Sequence, residues 1–265
     1  MNILDKIVGE KRKEVDSMKR IKPVEELVNQ ALFGRQSISL KERLSDSDPC
    51  GIIAEFKRKS PSKGIINESV TVEDVVSGYV TAGAAGISVL TDSTFFGGSL
   101  DDLKRARVSS QDIPILRKDF IIDEYQVVEA KAYGADVILL IAEVLTSEEV
   151  CCLARVARDH NLEVILEMHH QCQLHKICDE VDIVGINNRN LEDFSVDIDT
   201  SLKISDKIPR DKIKISESGL DTPGDIFKLI DSGFKGFLIG EFFMKHPQPH
   251  QACLDLLNTI KNNAS

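Results

Sequence analysis

The sequence predicts an α/β protein, a (β/α)8 TIM barrel with an N-terminal helical extension. Three observations predict it. Short runs dense in Ile, Val and Leu recur eight times, at intervals of roughly 20–35 residues, with helix-like segments between them. The runs show little clean alternation of apolar and polar residues, as expected of parallel strands covered on both faces. A doubly wound sheet, the alternative, carries a glycine-rich phosphate loop after its first strand, and AEFKRKSPSKG is not one.

The elements follow in order. The opening MNILDKIVGEKRKEV places Ile3, Leu4, Ile7 and Val8 on one helix face, which suits a docking helix and lacks the continuous apolar run of a signal peptide. A single domain is expected over residues 1–265, with about 1–48 as the extension and about 49–265 as the barrel. The added helices would cap the bottom of the barrel or flank the rim of its mouth. Strands are expected at 52–56 (IIAEF), 86–90 (GISVL), 114–118 (PILRK), 136–141 (DVILLI), 163–168 (EVILEM), 182–187 (DIVGIN), 212–217 (KIKISE) and 236–240 (GFLIG). Helical spacing marks 125–132 through Val127, Val128 and Ala132, and 226–230 through Leu229. Thr146 before SEEV reads as an N-cap with an acidic first turn, Thr222-Pro223 puts Pro at a first helical position, and Gly134 and Gly233 stand where C′ glycines belong.

Composition narrows the function classes. The chain is 42% hydrophobic over 265 residues, enough for one large core or two modest ones. A net charge of −10 argues against general affinity for nucleic acid, and without Trp or a basic–aromatic stripe there is no single-strand stacking platform. No apolar segment approaches the ~20 residues that span a bilayer. Six cysteines (50, 151, 152, 172, 178 and 253) follow no framework spacing and read as reduced thiols of a cytoplasmic protein. HHQCQLHKIC (169–178) has no C-x-x-C pair and reads as an ordinary solvent-facing helix, not a metal site.

The polar residues fall at the strand ends. Glu55 and Lys57, two apart and therefore on one face, close the first strand. Thr91-Asp92, Lys118-Asp119, Glu143, Glu167, Asn187-Asn188-Arg189, Glu217-Ser218-Gly219 and Gly240-Glu241 follow at the later ones. Catalytic groups of this fold lie at those ends, and its last two loops with a short helix often hold phosphate. Ser218, Gly219 and Gly240 permit close backbone approach, and a helix starting at Glu241 would offer free N–H groups while its carboxylate turns away. Glu55, Lys57, Lys118 and Glu167, with Asn187 and Arg189, mix proton donors, acceptors and fixed cations. That mixture points to acid–base chemistry on an anionic, sugar-like small molecule. Phe242 and Phe243 would either narrow the phosphate end or pack beneath it, and packing is the favoured reading. Of the cations after the first strand, Arg58 and Lys59 are expected in the loop, one or both merely solvated, with Ser60-Pro61 stiffening the turn.

AEFKRKSPSKG, SVLTDSTFFGGSLDDL, PILRKDFIIDEYQVVEAKAYGADVILLIAEVL, VGINNRNL, ISESGLDTPGD and LIGEFFM together closely resemble the indole-3-glycerol-phosphate synthase family of tryptophan biosynthesis, over essentially the whole chain. The resemblance implies a ring closure without metal or cofactor. 1-(2-Carboxyphenylamino)-1-deoxyribulose 5-phosphate becomes indole-3-glycerol phosphate with loss of CO2 and water. It implies Lys118 as general acid, Glu167 as stabiliser of the cationic intermediate or handler of its proton, and Glu55 and Lys57 in positioning and dehydration, with acid and base unassigned between those two. By the same resemblance Asn187 and Arg189 orient the substrate, Arg189 toward its anthranilate carboxylate, and Ser60 and Glu217 support binding. Ser218, Gly219, Gly240 and Glu241 would line the phosphate pocket.

Two other readings are weaker. A phosphoribosylanthranilate isomerase-like barrel would want a Cys at the end of the first strand, where this chain has Glu-Phe-Lys. A non-catalytic barrel binding a phosphorylated metabolite would be expected to lack Lys118 or Glu167. The expected partner is the small-molecule substrate, with no nucleic acid and no membrane. A monomer is expected from the acidic surface, with transient contact to neighbouring tryptophan-pathway enzymes.

Overall fold

The computed structural model describes residues 3–47, 49–191 and 193–263. The expected boundary at residue 48 therefore lies outside the described residues. Eight parallel strands close into a barrel: β1 (Gly51–Phe56), β2 (Gly86–Leu90), β3 (Ile115–Lys118), β4 (Val137–Ile141), β5 (Glu163–Met168), β6 (Ile183–Asn187), β7 (Ile213–Glu217) and β8 (Gly236–Ile239). Every expected strand is present to within one residue at either end. Each strand pairs with its sequence neighbours, and β1 closes the ring on β8, with Gly51 opposite Gly236 and Ala54 opposite Ile239.

Two apolar layers result from the strand period. Ile53, Leu116, Val137, Leu139, Ile165, Ile183, Ile215 and Leu238 point inward and fill the lower barrel. Their outward neighbours, including Ile52, Ala54, Ile87, Ile138, Leu140, Val164, Val184 and Phe237, pack under the helices. The helix signals hold. Thr146 makes a reciprocal capping box with Glu149 at the start of Ser147–Asp159, and Thr222 caps Pro223–Asp231. Gly134 and Gly233 adopt φ of +92° and +83°.

The extension occupies both ends of the barrel. Helix Leu40–Asp46 plugs the bottom, with Leu40 and Leu44 in the interior cluster. The carboxylate of Glu163 receives the N–H groups of Leu40 (2.8 Å) and Lys41 (3.0 Å) at that helix start, where free donors and the helix dipole favour an anion. The N-terminal helix Ile3–Ile21 lies at the mouth instead. Its Lys11, 1% exposed, reaches Asp119 at 3.0 Å, Asp92 at 3.1 Å and Glu14 at 2.9 Å.

Two expectations are corrected. The segment 169–178 is not an ordinary helix. The span between β5 and β6 is short, and Gln171–Lys176 takes only a tight 3-10 turn. Arg58 is not merely solvated. It makes a two-pronged ion pair with Asp102 (2.6 and 2.8 Å) and stacks on Phe56, while Lys59 Nζ donates to the Thr94 carbonyl. Lys59–Ser60 also pairs with Gly64–Ile65 as a small antiparallel ribbon. No helix is long and apolar enough to cross a membrane among the described residues.

Candidate active site

The upper barrel layer departs from the apolar filling below it. One step above Ile53, Leu116, Ile165, Gly185 and Ile215, the inward positions become Glu55, Lys118, Glu167, Asn187 and Glu217, each two residues further along its strand. They form the floor of a cavity of about 540 Å³. Its walls include Lys57, Ser60, Arg189, Ser218, Gly219, Gly240 and Glu241, so every candidate site residue reaches this one opening.

Lys118 sits at the centre. Its Nζ donates to Glu167 Oε2 at 2.6 Å and lies 3.1 Å from Glu217 Oε2. Glu167 Oε1 accepts from Asn187 Nδ2 at 3.2 Å. A second pair stands beside them, Lys57 Nζ 2.6 Å from Glu55 Oε1, with Ser88 donating to the other Glu55 oxygen at 3.4 Å. Two glycines make room for these carboxylates. A Cβ on Gly185 would lie 2.7 Å from Glu217 Oε1, and one on Gly240 would lie 2.4 Å from Glu55 Oε1.

The three central groups polarise one another. Burial pulls the Lys118 ammonium toward neutrality, but the charges of Glu167, Glu217 and Glu55 outweigh it and raise its pKa above the usual lysine range. Burial pushes Glu167 upward, and Lys118, His169 and its hydrogen bonds overcome that to bring it down to about 2. Glu217 goes the other way. Burial, helped by the charge of Glu167 and opposed by Lys118, carries it up to about 7. Its Oε1 is buried with no hydrogen-bond partner among the described residues. One cation therefore stands between a firmly ionised carboxylate and one poised near neutrality, a division suited to acid–base work.

The loops after β7 and β8 meet at the other end of the cavity. Ser218 and Gly219 both have φ of +70°, and a Cβ on Gly219 would strike Val196 at 2.3 Å. Asn188 holds this turn from beneath by donating to the Ser218 carbonyl (3.0 Å) and Ser216 Oγ (2.9 Å). The short helix Glu241–Met244 begins here. Its Glu241 carboxylate is drawn to Lys245 (2.5 Å) and Arg189 (3.2 Å). Phe243 is buried, whereas Phe242 lines the cavity.

Some strand-end groups serve elsewhere. Asp92 caps the turn Ser93–Phe96 and binds Lys11, while Glu143 is exposed and bonded to Gln173. Asp119 is held by Lys11, Arg117 and Thr91, with its pKa brought to about 2 as those cations outweigh burial. Sequence reasoning missed Lys11, and missed Ile3, Leu4 and Ile7 as the cavity's apolar wall. The helix-face spacing was visible, but nothing local says which surface it covers. Among the described residues no cluster of three or more His, Cys, Asp or Glu side chains is arranged to hold a metal.

A closed parallel barrel with a lysine set between buried carboxylates on the floor of its open mouth defines an acid–base barrel enzyme acting on a small molecule. Comparison with known proteins gives the family. A family model described as indole-3-glycerol phosphate synthase matches residues 4–256. The protein of that name from Bacteroides thetaiotaomicron is 46% identical over 260 residues, 98% of this chain and 99% of that one. That from Polaromonas naphthalenivorans is 38% identical, covering 96% and 98%. The chain belongs to the indole-3-glycerol phosphate synthase family, carboxy-lyases of tryptophan biosynthesis. Solved structures at lower identity share the fold alone. Thiamine phosphate pyrophosphorylase from Pyrococcus furiosus matches with a TM-score of 0.61 at 16% identity, over 84% of this chain and 98% of that chain. Tryptophan synthase subunit alpha from Legionella pneumophila gives 0.60 at 14%, over 85% and 97%.

Proposed function

We propose that the residues at this mouth divide between them the conversion of 1-(2-carboxyphenylamino)-1-deoxyribulose 5-phosphate to indole-3-glycerol phosphate, CO2 and water. The observation that carries the reading is the Lys118 ammonium, 2.6 Å from Glu167 and 3.1 Å from Glu217 on the cavity floor.

Lys118 donates its proton to the ketone oxygen as the carboxylate-bearing ring carbon attacks the carbonyl carbon. The new C–C bond leaves the arylamine as an iminium, and ionised Glu167 stabilises that cation. The carboxylate is now beta to the iminium, so the electrons of the C–CO2 bond flow into it and CO2 departs. Glu55 and Lys57 then share the dehydration: one proton leaves the adjacent carbon and one joins the departing hydroxyl. Glu217, poised near neutrality, supports Lys118 and returns its proton. Asn187 and Arg189 orient the substrate, Arg189 toward the anthranilate carboxylate, and Ser60 closes over it from the first loop. Ser218, Gly219, Gly240 and the Glu241 backbone N–H hold the phosphate. Residues 1–265 act as a single barrel unit, a cytoplasmic monomer in transient contact with neighbouring pathway enzymes.

Lys118→Ala tests the assignment. Product formation, followed by indole fluorescence, should fall by about 10²–10⁴-fold, the usual worth of a positioned general acid. Circular dichroism and inorganic phosphate binding should stay near wild type. A wild-type turnover rate would remove Lys118 from the chemistry.

A further inference from the structure

His169 follows β5 two residues after Glu167 and is 5% exposed. Neither of its ring nitrogens has a hydrogen-bond partner among the described residues, although both are buried. Nε2 lies 3.5 Å from Glu167 Oε1, the oxygen that also receives Asn187, while Lys118 holds Oε2. A buried imidazole without a partner is destabilising, so a chain that keeps one there calls for an account. Its backbone is pinned in place: Gln173 Oε1 accepts the His169 N–H at 2.8 Å, and Gln173 itself donates to Glu143. Among the described residues that line the cavity the ring does not appear; Glu167 stands between them.

We propose that His169 is a positioning residue for the ring closure, its Nε2–H closing onto Glu167 Oε1 as substrate draws the Lys118 proton away from Oε2. The imidazole takes up the orientation of the carboxylate when its main cation is engaged elsewhere, and keeps Glu167 ionised opposite the iminium. The charged and titratable groups facing the ring are Glu167 on β5, Lys118 on β3, Glu143 after β4 and the adjacent His170. Burial outweighs the two carboxylates and lowers the imidazole's pKa, so near neutral pH it offers one N–H donor and adds a charge beside Glu167 only once protonated at lower pH.

The inference rests on the placement of Glu167 in the chemical step, and the experiment separates the two. His169→Leu removes the donor, His169→Gln retains one, and Glu167→Gln is measured alongside. His169→Leu should lower kcat about tenfold, the worth of one hydrogen bond to a carboxylate, with KM within twofold. Its acidic kcat limb should move to higher pH, because a carboxylate stripped of a donor protonates more easily. His169→Gln should recover most of the rate and return the limb toward wild type. A His169→Leu enzyme with wild-type kcat and limb, beside an inactive Glu167→Gln, overturns this inference alone. Loss of rate in both His169 variants with an unmoved limb also overturns it, since that is a packing defect. An active Glu167→Gln overturns the reading of Glu167 and this inference together.

Discussion

Lys11→Met removes one buried cation and leaves its partners in place. The ammonium is 1% exposed and lies 3.0 Å from Asp119 and 3.1 Å from Asp92, both nearly fully buried. Burial alone would drive this lysine toward neutrality, and the two aspartates outweigh it, so its pKa is raised. Methionine keeps most of the volume but takes from buried Asp92 its cation, leaving it the Phe95 and Phe96 N–H groups, and leaves Asp119 to Arg117 and Thr91. Breaking a buried pair from one side costs about 3–5 kcal/mol. For a chain of this size that is on the order of 10 °C in Tm. The loss depends on pH with a definite sign. Asp119 has its folded pKa depressed to about 2, so its pairing contributes fully above the unfolded value near 4 and fades as pH falls toward 2. The gap between variant and wild type should therefore be full at pH 7 and shrink below about pH 4. Urea unfolding followed by circular dichroism at pH 7 and pH 3.5 measures both. Because the same helix brings Ile3, Leu4 and Ile7 to the cavity, KM should rise more than kcat falls. A variant within 2 °C of wild type at pH 7 would refute the reasoning, because the helix would then be held by something other than this charge.

Other outcomes follow from the same geometry. Glu217 should titrate near pH 7 by carboxyl ¹³C NMR and move lower in Glu167→Gln, since the charge of Glu167 helps raise it; an upward or absent shift contradicts the coupling. Gly240→Ala places a methyl 2.4 Å from Glu55 Oε1 and must displace that carboxylate from Lys57, at a cost of about 10² in kcat with the fold retained. Full activity in that variant would mean that Glu55 need not hold its observed position. Arg58→Met breaks the two-pronged pair with Asp102, whose pKa is held down by Arg58 against burial. The loss should be about 1.5–3 kcal/mol at pH 7 by chemical denaturation, fading as pH falls through 4, and a flat pH dependence would count against it.

The barrel was legible because each strand is a short apolar run bounded by helix signals whose chemistry is local: a capping Thr146, a first-turn Pro223, a left-handed Gly134. The candidate site was legible for the same reason. The period-two alternation that sends Ile53 inward sends Glu55 inward as well, and likewise Leu116 and Lys118. What stayed hidden depends on contacts between distant residues. Arg58 looks like a loop cation until Asp102 is folded against it, and Lys11 like any lysine of a charged helix until Asp92 and Asp119 meet it. His169 sat in a segment whose spacing suggested a solvent-facing helix. The turn is too tight for one, and it buries the ring instead.

Ring closure of the barrel itself has a consequence for synthesis of the protein. The strand bearing Glu55 is seamed between β2 and β8, and the glycine that shapes Glu55's seat stands just beyond β8. A nascent chain released before that point would keep two raw sheet edges, each a template for sticking to other unfinished copies. Turnover would begin only when the last staves are in place, so enzymatic rate doubles as a readout of how many molecules have completed the cask.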